Sequence, residues 1–317
     1  MASHFTCCER EILYRLLKAK KSMSEIGELM GRERSTIYRE IKRNTGGRGY
    51  RPKQAQHKAD ERRLRCRREP KMNNPKLKSS VRRLLKKAWS PDQIAKWLRR
   101  KFPHNPEKHV SHQTIYTWIA QEAPELRVHL RRGGKRRNGP EKRGQLVGCV
   151  SIEGRPKAVD SRRRFGDWEG DTVVSPGRRS GLVTMVDRKS GYTRIRKTAS
   201  LKAATTRQAA HRSLRDLPES LRRTMTLDNG KEFAEHEQLA EELGLDIYFA
   251  KPYASWQRGT NEHTNGLLRQ FFPKGTDFAR ISHHQVARAE KLLNERPRKR
   301  LGYQTPQEIF AKKMRCN

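Results

Sequence analysis

Acidic residues occur at three places where a fold of alternating strands and helices can bring them together. Asp167, Glu169 and Asp171 alternate along one strand-like run, so their side chains project from the same face. Asp228 ends another such run just before an Asn-Gly turn, and Glu262 follows further along the chain.

Hard divalent cations prefer carboxylate oxygens, and they relieve the repulsion between converging carboxylates. Two ions about 3.5–4 Å apart would activate the attacking oxygen and stabilise the leaving oxygen of a phosphodiester. The pattern predicts a site for two Mg²⁺ (or Mn²⁺) ions.

The pattern leaves alternatives open. Alternation along the strand does not choose among Asp167, Glu169 and Asp171. Taken alone, Asp228 or Glu262 is better explained as a surface acid that falls near a strand end by chance.

The elements that must position these acids lie in residues 161–317. Strand-like runs occur at Gly166–Val174, Gly181–Asp187, Gly191–Thr198, Arg223–Asp228 and Leu245–Ala250. Helix-like runs occur at Lys202–Leu214, at Lys231–Leu243 and after Gly259. Three strands, then alternating helices and strands, are the order of a ribonuclease-H-like α/β domain. We expect a mixed five-stranded sheet followed by C-terminal helices.

Residues 1–45 predict an all-α helix-turn-helix domain. Thr6 with Glu9 and Ser22 with Glu25 have the spacing of capping boxes, and Gly31 breaks the chain before a third helix. In a helix-turn-helix the last helix enters the major groove of DNA. The candidate DNA contacts on that helix are Arg34, Ser35, Thr36, Arg39 and Arg43. The alternative is a small basic helical bundle with a solvated face.

Residues 89–130 predict a second helix-turn-helix-like DNA-binding region. Ser90, Pro91 and Gln93 mark a helix start, and a further helix follows at 111–119. The candidate DNA contacts on this helix are His112, Gln113 and Thr117. Basic segments at 46–88 and 131–160 are predicted to be linkers that lie along phosphates. The first of them contains five arginines between Arg62 and Arg68.

Charge indicates the kind of partner. Lys and Arg number 72 against 34 Asp and Glu, which gives a formal net charge of +38 and implies a polyanion such as double-stranded DNA. Neither a membrane-spanning run nor a signal peptide is evident, so we expect no membrane partner and a soluble protein of the prokaryotic cytoplasm. The five scattered cysteines lack metal-site spacing and are expected to be reduced thiols.

Three stretches together resemble the IS-thirty family of insertion-sequence transposases, within the wider group of DDE transposases and retroviral-type integrases. They are Phe165–Thr172, Thr226–Phe233 and Tyr248–Gly275. The 33 residues between Asp228 and Glu262 agree with that family, whereas His263 replaces its more usual Asn. The pattern Trp, two residues, Asp, Thr falls on Trp168, Asp171 and Thr172. The resemblance therefore implies that Asp171, rather than Asp167 or Glu169, is the metal ligand.

The resemblance implies a function as well. The enzyme would bind the terminal inverted repeats of its own element, hydrolyse a phosphodiester to free a 3′-OH, and use that 3′-OH to attack target DNA. Asp171 and Asp228 would hold one ion, and Asp171 and Glu262 the other. The basic residues around Glu262 would contact phosphates; they are Lys251, Arg258, Arg269 and Lys274. Synapsis of two DNA ends implies a homo-oligomer.

Two other functions compete with this one. A DNA-binding regulator would keep the helix-turn-helix units without catalysis, but all three carboxylates are present. A ribonuclease H or a junction-resolving nuclease would cut without joining. The two upstream DNA-reading modules argue against such a nuclease, because a structure-specific enzyme has less need to read sequence.

Overall fold

The computed structural model describes residues 4–66, 69–130, 148–251 and 254–315. The chain forms two compact units that divide between Pro70 and Lys71. Every helix in the described part of the chain is too short or too polar to cross a lipid bilayer.

The first unit is all helical. Its helices are α1 (Cys7–Lys18), α2 (Met23–Met30), α3 (Arg34–Asn44) and α4 (Pro52–Cys66). Both predicted capping boxes, at the starts of α1 and α2, are confirmed. Leu13, Ile26 and Ile37 are fully buried and hold the first three helices together.

The segment 46–88 differs from the linker predicted there. Ala55 of α4 and Tyr50 are buried in the core of the first unit. The buried Arg10 of α1 donates a 2.6 Å hydrogen bond to Gln56 of α4. Residues 75–86 form a helix that belongs to the second unit. Charged side chains dominate this segment, so the few apolar positions that anchor it gave no clear sequence signal.

The second unit begins with a helical cluster. Its helices are α5 (Pro75–Lys86), α6 (Pro91–Lys101) and α7 (His112–Gln121). The predicted capping box of Ser90 and Gln93 starts α6, and Ile115, Trp118 and Ile119 of α7 are buried as expected. Of the linker predicted at 131–160, residues 131–147 lie outside the described part. The remainder contains α8 (Lys157–Asp160), with Val159 buried.

A five-stranded mixed sheet forms the centre of the second unit, as predicted. The strands are β1 (Asp167–Val174), β2 (Gly181–Asp187), β3 (Thr193–Thr198), β4 (Thr224–Leu227) and β5 (Asp246–Phe249). Their order in the sheet is β3-β2-β1-β4-β5; β1, β2 and β3 are antiparallel, whereas β4 and β5 run parallel to β1. The helices are α9 (Ala203–Leu214), α10 (His236–Leu243), α11 (Gly259–Leu268), α12 (His283–Asn294) and α13 (Pro306–Arg315).

Alternation along the strands sends different side chains to the two faces of the sheet. Trp168 of β1 and Met225 of β4 pack in one core with α9 and α10. Val173 of β1 packs in the opposite core with α11 and α12. Because successive side chains of a strand alternate between faces, the acids at odd positions of β1 lie on the α11 side. The fold therefore places α11, which carries Glu262, over the acidic face of β1.

Candidate active site

Two neighbouring parallel strands bring Asp171 and Asp228 together. In the β1–β4 pairing Trp168 lies opposite Met225 and Glu169 lies opposite Thr226. Continuing this register by two residues places Asp171 opposite Asp228. Parallel strands end at the same edge of a sheet, so both carboxylates lie where β4 stops and the chain turns away.

Asp171 is the one acid of β1 that faces this edge. Asp167 is 1% exposed and accepts hydrogen bonds of 2.8 and 3.0 Å from Arg164. Glu169 is fully buried and lies 3.2 Å from Arg188. Both of these acids are engaged by fixed neighbours within the fold. Asp171 instead lies beside Asp228 and Arg258, and its choice as the metal ligand, which the family resemblance implied, stays a prediction.

Arg258 bridges the two carboxylates at the sheet edge. Its Nη1 lies 3.3 Å from Asp171 Oδ1, and its Nη2 lies 3.1 Å from Asp228 Oδ2. The same Nη1 donates a 3.1 Å hydrogen bond to the carbonyl oxygen of Gly170. Arg258 ends a short 3-10 turn, Ser255–Arg258, immediately ahead of α11. Only 13% of its side chain is exposed, so the guanidinium is directed into the site rather than towards solvent.

The electrostatics of the pair follow from its burial and its charges. Burial raises the pKa of Asp171 to about 6; Arg258 opposes this shift, and the negative charge of Asp228 reinforces it. Burial acts to lower the pKa of Arg258, but the charges of Asp171 and Asp228 outweigh it and raise that pKa. Two adjacent carboxylates in this environment stay ionised together only when a cation lies beside them; otherwise one takes up a proton.

Helix α11 docks against Asp171 through Asn265. The Asn265 side-chain amide donates a 2.7 Å hydrogen bond to Asp171 Oδ2. The hydroxyl of Thr184 on β2 lies 3.3 Å from Asn265 Oδ1 and 3.2 Å from the carbonyl oxygen of Asp171. One carboxylate oxygen of Asp171 is therefore held by α11, and the other faces Arg258.

The buried Glu169 fixes the first turn of the same helix. Its Oε2 accepts a 2.8 Å hydrogen bond from the backbone N–H of Asn261, and the Asn261 side chain donates to the Glu169 carbonyl oxygen at 3.2 Å. The first N–H groups of a helix lack partners within the helix, so a carboxylate at this position both caps α11 and anchors it to β1.

Glu262 follows Asn261 directly and is exposed. Residues three and four apart lie on one face of a helix, so Glu262 shares the face of Asn265, whose side chain reaches Asp171. Within the described ranges no three His, Cys, Asp or Glu side chains are grouped closely enough to hold a metal. The structure thus brings Asp171 and Asp228 together, with Glu262 on the adjoining helix face and outside ligand distance.

Two regions of the chain match known domain families, and nearly the whole chain matches known proteins. Residues 2–44 match a helix-turn-helix domain, and residues 161–255 match the integrase core domain. The chain is 40% identical over 98% of its length to the transposase for insertion sequence element IS4351 of Bacteroides fragilis, covering 96% of that protein. It is 37% identical over 98% of its length to the transposase InsI for insertion sequence element IS30A of Escherichia coli strain K12, covering 84% of it. The chain belongs to the IS30 family of insertion-sequence transposases.

Among solved structures, the catalytic core domain of BIV integrase is similar to part of this transposase. The match covers 47% of the chain and 95% of that domain, at 19% identity and a TM-score of 0.38. As an IS30-family transposase with an integrase core, the protein is a polynucleotidyl transferase that acts on DNA, and its family generally depends on divalent metal ions.

The other basic residues predicted around Glu262 of this transposase have varied surroundings. Lys251 is exposed and forms an ion pair with Glu153. Arg269, at the end of α11, donates a 3.4 Å hydrogen bond to the carbonyl oxygen of Pro273, and burial lowers its pKa. Lys274 is exposed. Arg258 differs from its predicted role as a phosphate contact, because the carboxylates attract its guanidinium into the site.

The predicted DNA-contact residues of α3 lie on an open helix face. Arg34, Ser35, Arg39 and Arg43 are exposed and Thr36 is half-buried, whereas Ile37 is fully buried. Arg39 donates hydrogen bonds within its own helix, to the Ser35 carbonyl oxygen at 3.0 Å and the Ser35 hydroxyl at 3.2 Å.

The predicted contacts of α7 are similarly placed. His112, Gln113 and Thr117 are exposed, and Ser111 caps the helix by accepting from the N–H of Thr114 at 3.0 Å. An exposed face on a well-packed helix is the arrangement that major-groove contact requires.

Sequence reasoning missed several residues that build the site. Asn261 and Asn265 are four residues apart on either side of Glu262, a spacing that marks one helix face and could have been noticed. Thr184 and Arg188 belong to another strand and its turn, and nothing in the sequence relates them to α11.

Proposed function

We propose that this transposase binds the terminal inverted repeats of its element and catalyses metal-dependent cleavage and strand transfer at a DDE site made by Asp171, Asp228 and Glu262. The observation that carries the proposal is the pair of carboxylates that Arg258 bridges at the edge shared by β1 and β4. Such a pair, buried enough to raise the pKa of Asp171, is suited to concentrate positive charge beside a phosphodiester.

The donor set fits Mg²⁺ or Mn²⁺. Its atoms are carboxylate oxygens, the ligands that hard divalent cations prefer, and the position between Asp171 and Asp228 already attracts a cationic side chain. Asp171 and Asp228 would hold one ion, and Asp171 and Glu262 the other. When bound, the two ions supply activation of the attacking oxygen and stabilisation of the leaving oxygen.

The residues of the chain have defined tasks in this reaction. Asn265 orients Asp171 through its 2.7 Å hydrogen bond, and the cap from Glu169 to Asn261 holds the first turn of α11, the helix that carries Glu262. In the cleavage step a water oxygen bonds to phosphorus, and the 3′-oxygen leaves and takes up a proton. In the transfer step that 3′-OH oxygen bonds to a target phosphorus, loses its proton and displaces the target's own 3′-oxygen.

DNA recognition is assigned to helices other than the elements that carry the carboxylates. The exposed faces of α3 and α7 are suited to read base edges in the inverted repeats, and the surrounding Lys and Arg side chains to neutralise phosphates. Lys251, Arg269 and Lys274 extend the positive surface beside α11 and are proposed to contact phosphates near the scissile bond.

The test is incubation of the purified protein with labelled DNA that carries the inverted repeats flanking its gene, with and without Mg²⁺. Nicked and joined products that both require metal are the expected result. Cleavage without joining would favour a nuclease, and tight binding without either product would favour a DNA-binding regulator.

Asp228→Asn is the decisive variant in this assay. It should abolish both products and leave repeat binding intact, because DNA affinity arises mainly from basic side chains elsewhere. Asp216→Asn, which neutralises an exposed acid paired with the neighbouring Arg215, is the matched control and should behave as wild type. Metal-dependent cleavage by Asp228→Asn would contradict the assignment.

Two DNA ends must be held together for strand transfer, so we also propose that the protein is at least a dimer on DNA. Gel filtration with repeat DNA under active conditions should show two or more protein chains for two ends. One protein per isolated end in the active complex would contradict this oligomeric state.

A further inference from the structure

We propose that Arg258 is a positioning residue: an internal counter-cation that holds Asp171 and Asp228 together in the metal-free transposase and exchanges places with the divalent ion. This inference rests on the proposed function, since it takes the Asp171–Asp228 pair to be a metal site. It assigns to Arg258 a role that differs from simple contact with DNA phosphates.

The geometry places one charged group of Arg258 where a cation serves both acids. The two terminal nitrogens lie 3.3 Å from Asp171 and 3.1 Å from Asp228, so a single guanidinium reaches both carboxylates. A planar guanidinium can bridge two acids in this way, whereas a lysine ammonium is a point charge. Without a cation, adjacent carboxylates repel each other or take up a proton.

A bound divalent ion and this arrangement of Arg258 compete for the same carboxylates. Mg²⁺ contacts its oxygen ligands at roughly 2.0–2.1 Å, closer than the guanidinium approaches these acids. A guanidinium and a dication at the same oxygens would also repel each other strongly in a site with little water. We therefore expect metal binding to displace Arg258 from at least one of its two partners.

The contacts of Arg258 are suited to exchange. Among the residues that the structure describes, its one further acceptor is the Gly170 carbonyl oxygen, and its buried Nε has no hydrogen-bond partner there. Moving the guanidinium outward would expose Nε to water or to a phosphate. The predicted phosphate contact of Arg258 then belongs to the metal-loaded state.

The position of Arg258 also connects this exchange with Glu262. Arg258 directly precedes α11, and Glu262 is the fourth residue of that helix. Glu262 is exposed while Arg258 bridges the two aspartates. Displacement of the guanidinium therefore vacates the position beside Asp171 that the third carboxylate would approach.

The test measures Mn²⁺ binding to the full-length protein without DNA, by calorimetry and by the electron paramagnetic resonance signal of free Mn²⁺. Arg258→Gln keeps much of the side-chain length but removes the charge. It should bind Mn²⁺ about tenfold more tightly than wild type, since coupling between competing sites is typically several-fold to a hundredfold. Its metal-free form should melt at a lower temperature than wild type, with a larger upward shift on adding Mn²⁺.

Two controls separate this effect from general charge loss and from misfolding. Arg280→Gln removes the same charge from a side chain that is 89% exposed and paired with Asp277, and it should bind Mn²⁺ as wild type does. Arg258→Lys retains the charge but cannot bridge both acids, so its Mn²⁺ affinity should lie between those of wild type and Arg258→Gln. Tighter Mn²⁺ binding by Arg258→Lys than by wild type tests the proposal even if Arg258→Gln does not fold.

The outcomes distinguish this proposal from the proposed function. If Asp228→Asn abolishes Mn²⁺ binding but the Arg258 variants bind as wild type does, the counter-cation role is wrong and the metal site stands. If wild type and every Arg258 variant fail to bind Mn²⁺, the metal site is wrong and the exchange falls with it.

Discussion

Asp171 and Asp187 are two acids of one sheet with contrasting surroundings. Burial raises the pKa of each to about 6. Asp187, at the end of β2, accepts hydrogen bonds from the backbone N–H of Gly166 at 3.1 Å and from the N–H of Ser190 at 2.7 Å. Asp171 instead faces the guanidinium of Arg258 and the side-chain amide of Asn265 on α11.

The contacts of the two acids, rather than their pKa values, separate the proposed metal ligand from the structural acid. Both acids have a perturbed pKa, so the pKa alone does not mark the site. The partners of Asp187 are the backbone N–H groups of Gly166 and Ser190 and the hydroxyl of Ser190, which the fold holds in place. Asp171 contacts the side chains of Arg258 and Asn265, which another group can replace. Exchangeable side-chain partners are what the proposed metal ligation by Asp171 requires.

The largest expected effect is on chemistry at Asp171. Asp171→Asn should lower single-turnover cleavage of repeat DNA by at least about 10³-fold, because it removes the carboxylate assigned to both ions. The free energy of unfolding should stay within about 1 kcal/mol of wild type, since an amide still accepts from Asn265. A kinetic assay and urea denaturation measure the two quantities. A large loss of stability would instead make Asp171 resemble Asp187.

The reverse pattern is expected at Asp187. Asp187→Ala should lower the free energy of unfolding by about 2–4 kcal/mol, because it leaves the buried donors of Gly166 and Ser190 without an acceptor. Mn²⁺ affinity of the folded protein should not change. Denaturant melts and calorimetry measure these quantities, and weakened Mn²⁺ binding would extend the metal site to the β2–β3 turn.

A smaller effect is expected from pH. Asp187 has a folded-state pKa of about 6 against an ordinary 3.8, so the folded protein binds its proton more tightly than the unfolded chain. Its contribution to stability is present below about pH 4 and is lost as pH rises through about 6, by at most about 3 kcal/mol. Asp187→Asn should flatten this part of the stability profile. An unchanged difference between the two proteins from pH 4 to 7 would contradict the shift.

The smallest effect concerns a region remote from both acids in sequence, the exposed face of α3. Arg39→Gln should weaken binding of repeat DNA several-fold and reduce the salt dependence by about one ion, with cleavage at saturating DNA unchanged. Lys18→Gln on α1 loses the same charge away from that face and serves as the control. Fluorescence anisotropy over a range of salt concentrations makes the measurement. Equal effects of the two variants would leave α3 without a special role.

Much of the fold was predictable because its signals are local. The spans of β1 to β5 and the starts of α1, α2 and α6 follow from alternation, turn residues and capping boxes, all of which act within a few positions. The helices at 52–66 and 75–86 were missed. Their abundant charges resemble a linker, and their apolar contacts depend on distant residues such as Leu13 and Ile94.

The positions of the acids, their spacing and the strands and helices that carry them follow from the sequence, because short-range periodicity decides which face of an element a side chain occupies. The contacts that each acid makes depend on tertiary packing. When α11 packs across β1 and β2, Glu169 accepts from the N–H of Asn261, Asp171 accepts from the Asn265 side chain, and the Arg258 guanidinium lies between two carboxylates. These contacts join residues about 30 to 90 positions apart along the chain. Charge attraction and desolvation act through space, and only folding brings such residues within reach.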